Sequence, residues 1–307
     1  MEKLIVSSSP HFNGKRTSQN LMLDVLIALV PAMVASVIFF GYRAALLLVI
    51  CAGCCVVCEF ICRKVMKRAQ TIGDLSAVVT GVLLAMNLPV SAHPLVAIFG
   101  CIVAIVVVKQ MFGGIGQNFV NPALTARIVL LNSFPGRMTD WTAPFDGMTT
   151  ATPLATYVPG EAVNYLDLFL GKCGGCLGET SALALLLGCA YLLCRRVINP
   201  VIPAVYIGTA AVFSLVMGRD PLFDILSGGL LLGAIFMATD YTTSPLYNLG
   251  KVIFAFGCGA LTMLIRNFAS LSEGVSYAIV VMNVLVPLIE RYVKPKAFGK
   301  ERKRSEA

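Results

Sequence analysis

A cluster of threonines in a polar segment offers the most distinctive chemistry of the sequence. The segment reads DGMTTATPLA, from Asp146 to Ala155, and lies between long apolar runs. Pro153 disfavours the helical region for Thr152 and keeps it extended, and the small Ala151 leaves the hydroxyl uncrowded. A threonine hydroxyl is a weak nucleophile that needs activation. The pattern therefore predicts a peptide that enters the active site of another enzyme. The alternative is a turn whose hydroxyls cap its own backbone.

The spacing Asp-x-x-Thr-Thr-Ala-Thr resembles the acceptor site at which a flavin transferase joins FMN to threonine through a phosphoester, with FAD as donor. In that pattern the acceptor corresponds to Thr152. Thr150 stands where the pattern commonly has glycine, and it is therefore a rival acceptor. The resemblance implies covalent FMN on Thr152. The residues expected around this site are Asp146, Thr149, Thr150, Ala151 and Pro153.

The composition is that of a membrane protein. The 307 residues are 57% apolar and 13% charged, whereas soluble domains carry about 25% charged residues. The mean hydropathy of +0.82 agrees, and we expect a single transmembrane domain over residues 1–307. The net charge of +8 is concentrated at helix ends and in the C-terminal tail. This distribution favours a topology signal over nucleic-acid binding.

Ten apolar runs are candidate membrane-spanning helices, because a span needs about 20 mostly apolar residues. We therefore expect an all-α polytopic protein. Similar motifs begin at Asp74 (DLSAVVTGVLLAMN) and Asp224 (DILSGGLLLGAIFMATD), which suggests two inverted five-helix repeats, a plan typical of transporters. Chance similarity of two Leu- and Gly-rich helices is the alternative. The predicted runs are 21–42, 44–62, 72–89, 93–111, 121–134, 179–194, 199–217, 221–238, 246–265 and 275–292.

The basic residues predict the orientation of the chain. With the N-terminus in the cytoplasm, eighteen of the 24 Lys and Arg residues fall inside and five outside, while Arg127 lies within a helix. The positive-inside rule then places both termini in the cytoplasm. Residues 1–20 are predicted to form a cytoplasmic segment and residues 293–307 a basic cytoplasmic tail. Residues 135–178 are predicted to form an external, flavin-bearing loop.

The segment GGIGQNFVNP, Gly113–Pro122, is too rich in glycine and asparagine for a lipid-facing helix. Such backbone survives at membrane depth when it is buried in protein or lines a cavity. We therefore predict a re-entrant segment that lines a cofactor or ion cavity. The amides of Asn118 and Asn121 can hydrogen-bond the edge of an isoalloxazine, and Gly113 and Gly114 allow a ring or another backbone to come close. A buried turn that satisfies its own polar groups is the alternative.

Several charged residues are further candidates. Arg127 is expected to face protein or water rather than lipid, where it can pair with a flavin phosphate or with a carboxylate. A structural ion pair is the favoured interpretation. Asp240, Asp24 and Asp74 lie near the inner ends of predicted helices and are candidates for an ion pathway. Solvation of the helix ends is the alternative for these three carboxylates.

The eleven cysteines do not predict a metal site. Cys51, Cys55, Cys58 and Cys62 form a helical stripe, which suggests either iron–sulfur ligands or, as we favour, small apolar filler at helix contacts. The CGGC sequence of Cys173–Cys176 suggests a disulfide or half of a metal site, but its loop holds no second pair.

Motifs spread over nearly the whole chain resemble a known family. They are DLSAVVTGVLLAMNLP, GGIGQNFVNPALTAR, GETSALAL, GAIFMATDYTTSP and MNVLVPLIE. In this order they closely resemble the D subunit of Rnf complexes, and a similar pattern occurs in the B subunit of the sodium-pumping NADH:quinone reductase. The reductase protein carries a longer N-terminal extension, so the Rnf-type protein fits better.

The resemblance implies a membrane electron carrier within a complex that passes electrons between reduced ferredoxin and NAD, coupled to Na⁺ or H⁺ movement. It also implies a second, non-covalent flavin such as riboflavin, a flavin transferase for maturation and a prokaryotic inner-membrane location. The chain lacks a strand–helix G-x-G-x-x-G motif and a ferredoxin-type cysteine array in any soluble segment, so partner subunits are expected to handle ferredoxin and NAD. A non-redox permease and a purely structural membrane partner are the alternatives, and neither needs a flavin acceptor.

Overall fold

The computed structural model describes residues 17–145, 147–157, 164–269 and 274–293. The predictions for Asp146, for residues 1–16 and for the tail beyond residue 293 therefore lie outside the described residues. Within them the regular elements are all helices, and the extended backbone forms one isolated β-bridge, between Thr142 and Thr149. The predicted all-α class is confirmed for the described part of the chain.

The first group of helices precedes the threonine cluster. A 3₁₀ turn over Ile72–Asp74 leads into the third helix, and the fourth helix continues as a π-helical segment over Val103–Gln110. The elements are α1 (Ser18–Phe40), α2 (Tyr42–Val65), α3 (Ser76–Met86), α4 (Pro94–Ile102) and α5 (Pro122–Ser133).

Short helices occupy the predicted loop, and a second group of long helices follows. The short ones are α6 (Pro135–Met138), α7 (Pro153–Thr156) and α8 (Tyr165–Leu170). The later ones are α9 (Ala182–Cys194), α10 (Val201–Val216), α11 (Pro221–Leu226), α12 (Leu230–Leu232), α13 (Asn248–Phe268) and α14 (Val275–Tyr292). A π-helical segment over Gly233–Met237 extends α12.

Four of these helices, α1, α2, α13 and α14, are long and apolar enough to cross a membrane, and α3, α4, α9 and α10 are shorter apolar helices. A helix overlaps each of the ten predicted runs, but the run 221–238 is interrupted at residues 227–229, between α11 and α12. Ten complete crossings and an inverted repeat stay predictions. Interrupted helices are tolerated at membrane depth where neighbouring helices satisfy the freed backbone groups.

Small residues allow the helices of the core to approach closely. A Cβ added to Gly81 on α3 would lie 2.6 Å from the backbone oxygen of Cys51 on α2. Cys51 and Cys55 are fully buried, and the Cys101 thiol on α4 lies 3.6 Å from the Cys51 oxygen. No group of three or more His, Cys, Asp or Glu side chains among the described residues can hold a metal ion. Cys51 and Cys55 of the stripe therefore pack as small apolar side chains between helices, whereas Cys58 and Cys62 are half-buried.

Candidate functional site

The threonine cluster belongs to a loop that folds against one end of the helix bundle. We call residues 139–157 the acceptor loop. Within it, the Thr150 N–H donates to the Trp141 oxygen at 2.9 Å. The Phe145 N–H donates to the backbone oxygen of Phe39 at 3.0 Å, and the two rings meet edge to face at 5.5 Å. The loop is therefore anchored at the C-terminal end of α1.

Thr152 is extended, as predicted, with φ −66° and ψ 151°, and α7 begins at the next residue. Its side chain is buried, at 4% exposure, and its Oγ1 has no hydrogen-bond partner in the described part of the chain. Thr149, Thr150 and Ala151 are exposed instead. The prediction that this backbone presents the Thr152 hydroxyl to another enzyme is therefore wrong for this conformation.

The hydroxyl is buried because the chain turns inward at Pro153 and meets the CGGC loop. Thr152 lines a cavity of about 10 Å³, which is no larger than one water molecule requires. A flavin ring attached to Thr152 must therefore lie outside this cavity or open it. The cavity is lined by Thr152, Pro153, Leu154, Cys173, Gly174, Gly175, Glu179, Thr180 and Gly228.

Tyr157 fixes the far end of the acceptor loop. Its ring stacks on Phe223 with centroids 4.3 Å apart, and the Arg219 guanidinium lies 4.6 Å from its centroid. Its hydroxyl accepts a hydrogen bond from the Asp220 N–H at 3.1 Å. A cation held against an aromatic face contributes about 0.5–2 kcal/mol. The loop is thus held at both ends by contacts with residues distant in the sequence.

A buried arginine lies beside the acceptor cavity. Arg266 on α13 donates to the backbone oxygens of Asp224 at 2.6 Å and Ser227 at 3.1 Å, while its Nε has no partner among the described residues. A Cβ on the cavity residue Gly228 would lie 3.2 Å from Arg266 Nη2. Sequence reasoning counted this arginine only for topology. Its one signal was a positive charge at the end of an apolar helix.

The CGGC loop carries two free thiols rather than a disulfide. Burial, with smaller contributions from the carboxylates of Glu179 and Asp167, raises the pKa of Cys173 to about 12. The fully buried Cys176 Sγ lies 3.2 Å from Arg127 Nη2. The loop therefore supplies packing and a polar contact, and its thiols stay protonated near neutral pH.

Arg127 forms the structural ion pair that was the favoured interpretation. Its Nη1 lies 3.1 Å from Glu179 Oε1 and 2.8 Å from Asn87 Oδ1, and both charged side chains are almost completely buried. Asn87 in turn donates to the Leu83 oxygen at 2.6 Å. Sequence reasoning missed Glu179 as a site residue, although it lies within the GETSALAL motif. The available signal was that an acidic and a basic residue, Glu179 and Arg127, both lie next to apolar sequence, because buried charges are costly unless they are paired.

A second cavity, of about 90 Å³, lies at the other end of α1. The Gly113–Pro122 segment contributes Ile115, Asn118, Asn121 and Pro122 to its wall. We call it the inner cavity. Its remaining lining comes from α1, α3, the π-helical segments and the chain after α9 and α12, including Leu21, Val25, Ser76, Lys109, Ile198, Phe236 and Asp240.

The two asparagines of this segment have different surroundings. Asn121 caps α5, since its Oδ1 accepts from the Ala123 and Leu124 N–H groups at 3.1 and 3.4 Å. Asn118 Oδ1 is buried and has no partner among the described residues. An unpartnered buried amide oxygen costs about 1–3 kcal/mol, so a ligand donor at this position would be favourable.

The two glycines are not part of the cavity lining. Both have positive φ, 124° at Gly113 and 102° at Gly114. A Cβ would clash with the Gln117 side chain at Gly113 and with the Arg63 guanidinium at Gly114. In this conformation the groups that come close to these glycines are therefore the side chains of Gln117 and Arg63.

The three acidic candidates differ in their surroundings. Asp240 lines the inner cavity and accepts hydrogen bonds from the hydroxyls of Thr242 at 3.0 Å and Thr243 at 3.3 Å. Asp24 lies 3.3 Å from Arg195 Nη2, so its charge already has a protein partner. Asp74 ends the 3₁₀ turn before α3 and is not among the cavity residues.

A buried lysine brings positive charge to the inner cavity. Lys109 Nζ donates to Glu59 Oε2 at 2.8 Å and to Ser76 Oγ at 2.7 Å, and Lys109 and Glu59 are at most 2% exposed. Glu59 also accepts from the Thr71 hydroxyl at 2.9 Å. The sequence interpretation used Lys109 only as a topology residue. Ionisable groups buried in this way mark functional regions of membrane proteins.

The two cavities lie towards opposite ends of the bundle. The inner cavity touches α1 at Val25, and the acceptor loop touches it at Phe39, fourteen residues later. At 1.5 Å per residue these contacts are about 21 Å apart along the helix axis. The molecule is therefore a helical membrane protein with a mainly apolar cavity that holds a few polar groups near one end and a buried threonine near the other.

Comparison with known proteins shows to which family of membrane proteins the chain belongs. The model of the NQR2, RnfD, RnfE family matches residues 5–299, and the chain belongs to that family. It is 48% identical to the D subunit of the Na⁺-translocating ferredoxin:NAD⁺ oxidoreductase complex of Acetobacterium woodii, over 99% of this chain and 98% of the relative. It is 39% identical to the proton-translocating counterpart of Clostridium ljungdahlii, over 97% and 96%. The D subunit of the ion-translocating oxidoreductase complex of Stutzerimonas stutzeri is 38% identical, over 91% and 92%.

Proposed function

We propose that the chain is the D subunit of an Rnf-type complex, a membrane electron carrier within an ion-translocating ferredoxin:NAD⁺ oxidoreductase. The observation that carries the proposal is the near full-length match, at 48% identity, to a protein of that name. The helical membrane architecture is compatible with this role. One relative is named for Na⁺ and another for protons, so the names support ion translocation without selecting the ion.

We further propose that FMN is attached to Thr152 through a phosphoester. The support is an acceptor hydroxyl that no described protein group uses, in a peptide that resembles a flavinylation site. A phosphodiester carries one negative charge, and Arg219 and Arg266 share the single carboxylate of Asp224, which leaves one positive charge beside the same cavity. Its unpartnered Nε is a donor that a phosphate oxygen can satisfy. A bound flavin supplies one- and two-electron redox chemistry that the side chains lack.

The inner cavity is the proposed site of a second, non-covalent flavin such as riboflavin. The unpartnered Asn118 amide oxygen can accept from a ring N–H, and apolar residues such as Phe236 and Val25 can cover the ring faces. Such a mixture of apolar walls and few polar groups is typical of cofactor sites. Lys109 also lines this wall, and its ammonium group is held by Glu59 and Ser76.

Asp240 is the preferred ion-pathway residue in this proposal, because it lines the inner cavity and no cationic side chain pairs with it among the described contacts. The ion pair between Asp24 and Arg195 makes Asp24 less suitable. We also propose an inner-membrane location with the acceptor loop outside and both termini in the cytoplasm, as the basic residues predict. Two inverted five-helix halves, in which similar motifs begin at Asp74 in the third predicted run and at Asp224 in the eighth, remain part of the proposal.

The complete reaction requires other subunits and a flavin transferase. The chain offers no dinucleotide-binding motif, so partner subunits would oxidise ferredoxin and reduce NAD⁺. Within the chain, the side chains would bind and orient flavin, exclude water and place charges near it. A non-redox permease would need neither a bound flavin nor a flavin transferase.

Replacing the acceptor hydroxyl tests the proposal. Thr152→Ala is expected to abolish in-gel flavin fluorescence of the denatured protein, because no other atom of that side chain can form the ester. Thr150→Ala is the matched control and should keep the fluorescence. Thr149→Ala should weaken attachment without moving it.

Peptide mass spectrometry should locate the added mass on Thr152. Covalent flavin that persists in Thr152→Ala would make Thr150 or another hydroxyl the acceptor. Membranes that lack this chain should also lose ferredoxin-dependent NAD⁺ reduction, and retention of that activity would contradict the assigned role in the complex.

A further inference from the structure

From the burial of Thr152 we infer that FMN is transferred to it while the acceptor loop is undocked from the helix bundle, and that the docked loop withholds the hydroxyl of the unmodified chain from the transferase. This inference rests on the proposed flavinylation of Thr152 and concerns the conformation in which it takes place. The docked loop exposes Thr149, Thr150 and Ala151 and buries the acceptor.

The transfer itself shows why the docked loop cannot react. The Thr152 Oγ1–phosphorus bond forms as the pyrophosphate P–O bond of FAD breaks, AMP leaves, and the hydroxyl proton passes to a base of the transferase. Oγ1 must therefore reach both the phosphorus and that base. In the docked loop it faces a cavity of about 10 Å³, in which neither fits.

The polar and aromatic contacts that hold the loop against the helices are individually weak. The Phe145 backbone and ring contact Phe39, the Asp140 backbone oxygen accepts from the Ser91 hydroxyl, and Tyr157 packs against Phe223 and Arg219. The cation–π contact and each hydrogen bond contribute about 0.5–2 kcal/mol. A segment held by such contacts can open locally without unfolding the helices.

The structure offers a direct way to lock the loop. A Cβ on Gly174 would lie 2.6 Å from Thr150 Oγ1, so side chains at these two positions meet directly. The double variant Thr150→Cys/Gly174→Cys can therefore join the acceptor loop to the CGGC loop and leave Thr152 unchanged. A Cys173→Ala background removes the competing neighbouring thiol.

The full-length protein, made without the transferase, is oxidised or reduced and then given FAD and the flavin transferase. We expect flavin attachment to fall at least tenfold in the oxidised form and to return on reduction. Equal attachment in the two forms, with the disulfide verified by mass spectrometry, would overturn the inference. If the wild-type chain acquires no flavin on Thr152, the proposed function itself fails, so the two failures are distinguishable.

A second measurement decides the question even if the disulfide does not form. Thr152→Cys and Thr150→Cys are alkylated with a maleimide, and labelling of the loop peptide is followed by mass spectrometry. We expect Thr152→Cys to react at least tenfold more slowly, and Tyr157→Ala to remove most of that difference. Tyr292→Ala, at a highly exposed tyrosine of α14, is the matched control. Equal labelling rates at positions 150 and 152 would show that the acceptor is not sealed.

Discussion

Removing the carboxylate of Glu179 is expected to destabilise the protein strongly. Arg127 Nη1 lies 3.1 Å from Glu179 Oε1, and the two side chains are 6% and 3% exposed. Glu179→Ala would remove this counter-charge from the buried guanidinium, which also contacts Asn87 and Cys176. Breaking a buried pair in this way costs about 3–5 kcal/mol. At about 2–4 °C per kcal/mol, the midpoint of thermal unfolding should fall by roughly 6–20 °C.

The assay can use the buried thiols of the protein. Cys51, Cys55 and Cys258 are fully buried, so a thiol-reactive dye reports unfolding of the detergent-solubilised protein. Glu179→Gln keeps an oxygen for the hydrogen bond and removes the charge, and a large loss in this variant would assign the effect to charge.

Removing both charges completes the test of the ion pair. The double variant Arg127→Met/Glu179→Leu should recover most of the lost stability, since an apolar replacement of a buried pair is often neutral. A midpoint for Glu179→Ala that equals that of the wild type, or a double variant no better than the single one, would refute the reasoning.

Three further changes test other parts of the structure. Asn121→Ala should cost about 1 kcal/mol of stability through the lost helix cap, whereas Asn118→Ala should keep the unfolding midpoint and lose non-covalent flavin on purification. Maleimide labelling of Cys173 should rise about tenfold per pH unit from pH 7 to 9 without levelling, because its pKa is about 12, and should level near pH 8.5 in denaturant. Lys109→Met should lower stability in thermal unfolding, but by less than the about 3–5 kcal/mol of a fully broken buried pair, because Arg63 still lies 3.9 Å from Glu59.

The positions of the helices could be predicted because apolar runs and local breakers determine them. Thr17 and Asn121 cap helices that begin at the next residue, and Pro122 begins α5 as its fixed φ favours. The interruption of the run 221–238 was missed, since its breakers, Gly228 and Gly229, lie within otherwise apolar sequence. A hydropathy value averaged along the run does not reveal these two glycines.

The burial of Thr152 could not be predicted, because distant parts of the chain determine it. The backbone at Thr152 follows from Pro153, and that part of the prediction is confirmed. The side chain faces inward because Tyr157 docks on Arg219, 62 residues away, and because the CGGC loop covers the other side. Local sequence determines φ and ψ, but it does not determine which surface the loop meets.

The two cavities are connected by one continuous series of side-chain contacts. Glu179 lines the acceptor cavity and pairs with Arg127, whose guanidinium bonds to Asn87. Asn87 Nδ2 lies 3.7 Å from the sulfur of Met237, and the backbone oxygen of Met237 accepts from Asn121, which lines the inner cavity. Asn87, Asn121 and Met237 lie at helix ends, where unpaired backbone groups need partners. These contacts link α3, α5 and the π-helical segment after α12 between the two cavities, and an electron carrier with a redox group at each cavity would need their separation to stay constant.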